Sequence, residues 1–351
     1  MNQWRKILLY PFGVIYHIVT ATRNKLYDSN LKKTTSFDIP IICIGNIAVG
    51  GTGKTPHTEY LIRLLQNNYN IATLSRGYGR TTKVYTEAAL NSSSKEVGDE
   101  PAQYKRKFPA INVIVENKRV DGVQQILKNH PNTNLILLAD AYQHRAIKAG
   151  LNIVVTDYNT PLINDYLLPA GNLRESKRGI KRADLVIVSK CPINLSEKEQ
   201  EKIKRNLHFH SPDKVYFTHI KYGKIYHIFS NKKLENQKQD IDTLLVSGIG
   251  KPKPLQVQVQ NEFKSVTSLT YSDHHEFSRS DIQTIIKAFK ELKSEQKIIL
   301  TTEKDASRLL KIKELKELPI YCIEIEVAFL NKKDKFNTQI ETYVRTNKAN
   351  G

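Results

Sequence analysis

The chain has 351 residues, 54 Lys plus Arg against 35 Asp plus Glu, and a formal net charge of +19. Apolar residues make up 40%, enough for the cores of two ordinary domains, which excludes a disordered chain. The charge calls for an acidic partner (nucleic acid, an anionic membrane or a phosphorylated substrate), and the widely spaced Cys43, Cys191 and Cys322 offer no zinc spacing and no disulfide framework, as in reduced cytosolic proteins.

Residues 1–30 read as a membrane-associating helical segment. Its continuous apolar core, residues 7–19, is too short to span a bilayer. Arg5 and Lys6 precede the core, and Arg23 and Lys25 follow it. Pro11 and Gly13 are expected to kink or shorten the helix. No small-residue cleavage site closes the segment, which argues against a signal peptide. An interfacial helix on an anionic bilayer fits this pattern. The competing reading is a first helix packed on the domain, with Tyr10 and Tyr16 half-buried.

Residues 41–44 are an apolar strand ending at Gly45. Gly50, Gly51, Thr52, Gly53, Lys54 and Thr55 follow, and a helix is predicted over 58–65. Glycines let backbone N–H groups curl around phosphate oxygens, and the next helix aims its positive end at the same anion. Lys54 can reach the terminal phosphates and Thr55 can hold Mg²⁺. The strict motif wants glycine where Ala48 stands. A glycine-rich turn in an unrelated unit would share part of this pattern.

A strand over 71–74 empties into Ser75-Arg76-Gly77-Tyr78-Gly79-Arg80, either an anion-facing loop or a surface turn. Residues 82–95 read as loop or short hairpin. Gly98-Asp99-Glu100-Pro101 opens a helix, with Asp99 as a candidate cap. A strand over 111–115 leads to Arg119 and a helix reaching 128. The strand over 134–140 ends at Asp140, the usual place for an acid facing Mg²⁺. Strands over 151–156 and 183–188 bracket the loop 167–175, which carries Asn172, Arg174 and Glu175. This alternation predicts a mostly parallel α/β sheet with ligands at its carboxyl edge.

In the second half, strands over 215–220 and 224–229 flank Tyr222-Gly223 and read as a hairpin. Further alternation runs to about 330, with a helix over 278–292. Asp273-His274-His275 lies in a loop, without a third ligand for zinc. Thr301-Thr302-Glu303-Lys304-Asp305 begins a helix after the strand over 297–300. The last twenty residues are expected to fray.

With these stretches side by side, the chain resembles the lipid A tetraacyldisaccharide 4'-kinase family over nearly its whole length. The resemblance lies in Gly50-Gly51 with Pro56 after Thr55, in Ser75 to Arg80, in Gly98 to Pro101, in Leu168 to Glu175, in Asp273-His274-His275 and in Thr302 to Asp305. It implies transfer of the ATP γ-phosphate, with Mg²⁺, to the 4'-hydroxyl of an acylated glucosamine disaccharide 1-phosphate. It also implies a P-loop NTPase-like kinase of two α/β domains. These are a catalytic domain over 31–212, a two-stranded linker over 213–232 and a smaller domain over 233–345. The enzyme would be a monomer, peripheral or monotopic on the cytoplasmic face of the bacterial inner membrane. Asp99 becomes the candidate base, tuned by His274. Lys54 serves the β- and γ-phosphates. Thr55, Asp140 and Glu175 organise the metal. Arg76, Arg119, Asn172 and Arg174 meet the substrate, unless the arginines are structural.

The sequence departs from the family at Ala139, where the family carries the first of two consecutive aspartates. The departure suggests a slow variant, a relative relying on Asp140 and Glu175, or a weakened form. Other nucleotide hydrolases and a membrane-associated ATP-binding scaffold are the alternative readings. Nucleic acid is not expected, because the lysines are scattered rather than gathered with aromatic platforms.

Overall fold

The computed structural model describes residues 3–162, 165–235, 237–273 and 275–347. The first half runs α1 (Gln3–Asp28), β1 (Ile41–Gly45), α2 (Lys54–Leu65), β2 (Ile71–Ser75), β3 (Thr86–Glu87), α3 (Ser94–Val97), α4 (Asp99–Lys107), β4 (Asn112–Val115), α5 (Arg119–Asn129), β5 (Leu135–Ala139), β6 (Leu151–Asp157), β7 (Leu185–Ser189) and α6 (Glu197–Leu207). The second half runs β8 (Val215–His227), β9 (Asp242–Ser247), α7 (Lys253–Glu262), β10 (Ser265–Thr270), α8 (Arg279–Glu291), β11 (Lys297–Thr302), α9 (Glu303–Leu309), β12 (Ile320–Phe329) and α10 (Lys333–Asn347).

The strands form one sheet in the order β10-β9-β11-β12-β8-β7-β6-β1-β5-β2-β4-β3. Most pairs are parallel, which buries both faces under helices. Along β1 the faces alternate: Ile42 and Ile44 join one core, Ile41 and Cys43 the other. β1 lies between β5 and β6. The connections leave in opposite directions there, opening a crevice at the carboxyl ends of the strands.

The hairpin expected around Tyr222-Gly223 does not form. β8 is a single strand, pairing first with β7 in parallel and then with β12 antiparallel. Gly223 serves close approach rather than a turn, since a Cβ there would lie 3.2 Å from Glu324. The antiparallel partner of β8 is therefore β12, far along the chain.

Residues 333–347 form a packed helix where fraying is expected. Phe336, Ile340 and Val344 recur every fourth residue on α10 and are buried in the first half's core. The Tyr343 hydroxyl bonds both the N–H and the carbonyl of Ile41. The last helix thus belongs with the first core, not with a second domain ending at 345. Residues 82–95 supply the short β3, paired with β4, and the start of α3, which Ser93 and Glu96 cap reciprocally.

α1 runs on through Pro11 and Gly13 to Asp28, against the expected shortening. Its inner face is tied to the loop 167–175: Gly13 packs on Ala170, and the Tyr16 hydroxyl donates to the Arg174 carbonyl at 2.9 Å. Arg23 donates to the Gln143 carbonyl and Asn24 to Glu175. The opposite face is open and apolar, with Leu8 73%, Phe12 59%, Ile15 60% and Val19 61% exposed. No helix among the described residues is long and apolar enough to cross a membrane.

Candidate active site

The phosphate loop leaves β1 in extended form. Val49 donates to the Asn172 carbonyl at 2.7 Å and Ala48 bridges Leu173. Extended backbone there needs no glycine, which is why Ala48 serves. The turn itself needs Gly50 (φ 98°) and Gly53 (φ 90°), both left-handed. The outer side of the loop is held from the neighbouring strands. Ser189 donates to the Thr52 carbonyl at 2.6 Å, and Lys190 donates to that of Gly51. Asp157 braces Lys190 at 3.0 Å and also meets Lys251 of the second half at 3.2 Å. Asn46 donates to the Thr52 hydroxyl. Within the loop the Thr52 N–H donates to the Gly50 carbonyl at 2.9 Å.

His57 locks the base of the loop. Burial pushes its imidazole down to about 4, so the ring is neutral at ordinary pH. Its Nδ1 carries the proton, donating to the Gly53 carbonyl at 2.7 Å, and Nε2 accepts from Thr218 at 3.0 Å.

Lys54, at the start of α2, lies 3.6 Å from Asp140, and Arg174 donates to the same carboxylate oxygen at 2.8 Å. Burial pulls Lys54 below the ordinary lysine value, with Asp140 opposing. Burial also works against the Asp140 carboxylate, but Lys54 and Arg174 outweigh it and hold Asp140 below the usual aspartate range. Asp140 has a left-handed backbone (φ 51°), which an aspartate tolerates, and its N–H donates to Ile44. Ala139 is buried, paired with Ile44 in the sheet, and belongs to the same core as Leu61 and Ile62.

Asp99 does not cap α4; Gly98 does, and the Asp99 side chain is buried at 5% exposure. Its carboxylate is gripped by Arg308 of α9: Nε donates at 3.1 Å and Nη2 to the other oxygen. Gly77 and Gly98 let the Arg76 to Arg80 loop press on the start of α4, because a Cβ on Gly98 would meet the Gly77 Cα at 2.9 Å. Glu100 is near enough to raise the basicity of Lys54, so this end of α4 borders the phosphate loop. His274 lies outside the described residues.

Arg119 is 3% exposed, with Nη1 on the carbonyls of Glu116 and Asn117. Its Nε and Nη2 are buried without a hydrogen-bond partner among the described residues. Burial draws it down to about 10, with Asp140 opposing. His144 is pushed to about 4 by burial and by Arg119, Arg23 and Arg76 around it. The neighbourhood of Asp140 is thus a cationic basin. Arg76 is exposed there. Asn172 is bonded to Asp165 at 2.9 Å.

Glu175 departs from the expected metal ligand. It is 2% exposed, and its oxygens accept from Gln143 (2.8 Å), Asn24 (3.2 Å) and Arg182. It ties α1 to the loop after Asp140. Ser189, Lys190 and Arg308 escaped sequence reading, and Asp157 was legible only as the end of the strand over 151–156. Only the strand-end positions of Asp157 and Ser189 carried a local signal.

Comparison with known proteins places this geometry. The family model described as Tetraacyldisaccharide-1-P 4'-kinase matches residues 5–345. The chain belongs to this family. A "Tetraacyldisaccharide 4'-kinase" of Bacteroides thetaiotaomicron is 43% identical, covering 97% of this chain and 94% of that protein. One of Flavobacterium psychrophilum is 44% identical over the full length of both. The "apo" form of LpxK from Aquifex aeolicus in complex with ATP superposes with a TM-score of 0.76 at 25% identity, covering 97% of this chain and 99% of that one. The mostly parallel sheet with its phosphate loop after β1 is the fold of the tetraacyldisaccharide-1-P 4'-kinase family.

Proposed function

We propose that the chain transfers the γ-phosphoryl group of ATP to the 4'-hydroxyl of a tetraacylated glucosamine disaccharide 1-phosphate. The observation that carries this reading is Lys54 at the mouth of the phosphate loop, paired with Asp140 and Arg174, in a member of this kinase family. The sugar hydroxyl gives its proton to Asp99 while its oxygen bonds to the γ-phosphorus. The bond from that phosphorus to the bridging oxygen breaks and ADP departs. Lys54 follows the migrating charge. Open space borders Gly50 and Gly51, leaving room for phosphates, and Asp140 is kept ionised. Thr55 and Asp140 would hold Mg²⁺, whose charge when bound neutralises the phosphate oxygens. Glu175 braces the site, and Arg119 with Arg76 meets the substrate's anionic groups. An ATP-dependent phosphorylation assay on acylated disaccharide 1-phosphate tests the reading. ATP hydrolysis without a phosphorylated lipid would reject it.

The exposed face of α1 seats the enzyme on an anionic inner-membrane surface. Phe12→Glu with Ile15→Glu should reduce flotation with anionic liposomes by about tenfold or more, since each buried large apolar side chain contributes about 1.5–3 kcal/mol. Binding of soluble ATP should persist. Unchanged flotation would reject this face.

Ala139→Asp should raise kcat more than it changes the KM for ATP. An acid there would end β5 beside Asp140, where charge interactions exceed those at an open surface. Burial of position 139 in an apolar core sets a cost in stability. Steady-state kinetics at matched folded fraction decide this, and equal or lower kcat would make Ala139 a native adaptation.

A further inference from the structure

We propose that Arg308 is the positioning residue for Asp99, supplied by the second half of the chain across 209 positions of sequence. The inference rests on reading Asp99 as the base. Both side chains are almost fully buried, at 5% and 6% exposure. A guanidinium fork bound to both carboxylate oxygens fixes the plane of the carboxylate as well as its place.

Arg308 is itself held. Its Nη1 donates to the His275 carbonyl at 3.2 Å and to Asp305 at 3.3 Å. Asp305 accepts from the Gly248 N–H at 3.0 Å and from the Thr302 hydroxyl at 2.7 Å, and Thr302 caps α9. The Thr302 to Asp305 stretch therefore sets the first turn of α9 so that Arg308, one turn on, points at α4. A second clasp joins the same two helices, Lys107 to Glu303 at 2.8 Å. With α4 gripped at both ends, the Asp99 carboxylate is oriented by the second half, while ATP is held by the first.

The test is a double-mutant cycle of Asp99→Asn and Arg308→Gln, with kcat, the KM for ATP and the melting temperature measured for each. Arg308→Gln should lower kcat by about 10- to 100-fold, the scale of a misplaced reacting group, with the KM for ATP changed by no more than about twofold. Arg308→Lys should recover part of the loss. In the Asp99→Asn background, adding Arg308→Gln should cost no more than about threefold, because the carboxylate it serves is gone. If Arg308→Gln alone does not fold, the double variant still carries the comparison, since it leaves no unpaired charge at position 99, and Asp305 keeps its bonds from the Gly248 N–H and the Thr302 hydroxyl. Equal kcat for folded Arg308→Gln and wild type would overturn the proposal, as would losses that multiply in the double variant. If Asp99→Asn alone keeps full kcat, the base reading fails and this proposal with it. If Asp99→Asn loses kcat and Arg308→Gln does not, only the role of Arg308 fails.

Discussion

Lys54→Ala should abolish phosphoryl transfer, with kcat lowered by about 10³-fold or more, the scale expected for removing one charge that stabilises a migrating phosphoryl group. The ammonium stands at the first residue of α2, beside Asp140 at 3.6 Å. In the proposed mechanism it follows the phosphoryl group from ATP to the acceptor. The fold should survive the change. Asp140 keeps Arg174 at 2.8 Å, so its carboxylate is not stranded, and the loop keeps its outer supports from Ser189, Lys190 and His57. Single-turnover transfer with saturating ATP, beside a circular dichroism check of folding, measures the effect. Near-normal kcat in a folded protein would remove Lys54 from the mechanism.

Asp99→Asn should lower kcat by about 10² to 10⁴-fold, the usual worth of general base assistance. ATP affinity should barely change, because in the proposed mechanism the loop at 50–55 holds the nucleotide and the base touches the acceptor hydroxyl. Asparagine is the right probe here rather than alanine. It keeps the volume and one acceptor oxygen opposite Arg308, whereas truncation would leave the buried Nε and Nη2 of the guanidinium facing a void, with only Nη1 still held by Asp305 and the His275 carbonyl. ATP binding by calorimetry and transfer kinetics separate the two effects. Collapse of ATP affinity with normal transfer from bound ATP would instead place Asp99 in the nucleotide site.

The phosphate loop was legible in the sequence because its chemistry is local. Gly50, Gly53, Lys54 and Thr55 lie within six residues, and the strand before them declares itself by apolar run alone. Asp140 was legible for the same reason, at the end of another apolar run. Glu175 illustrates the limit. Its motif was visible, but its partners Asn24, Gln143 and Arg182 come from three other places, and they engage its oxygens in holding α1 and its loop together.

The amino-acid sequence by itself determined the strand and glycine loop that lead into Lys54, the alternation that makes the sheet mostly parallel, and the family. These follow from residues close together along the chain, where a few side chains and backbone preferences suffice. Tertiary structure alone decided that β8 is one strand, that its antiparallel partner is β12, that α10 closes over β1, and that Asp99 is gripped by Arg308. The pairs behind these results are separated by about a hundred to three hundred positions. No local pattern encodes such a contact. It exists only because burying apolar faces brings distant segments together, and then every buried charge and unpaired backbone group must find whichever partner the packing has delivered.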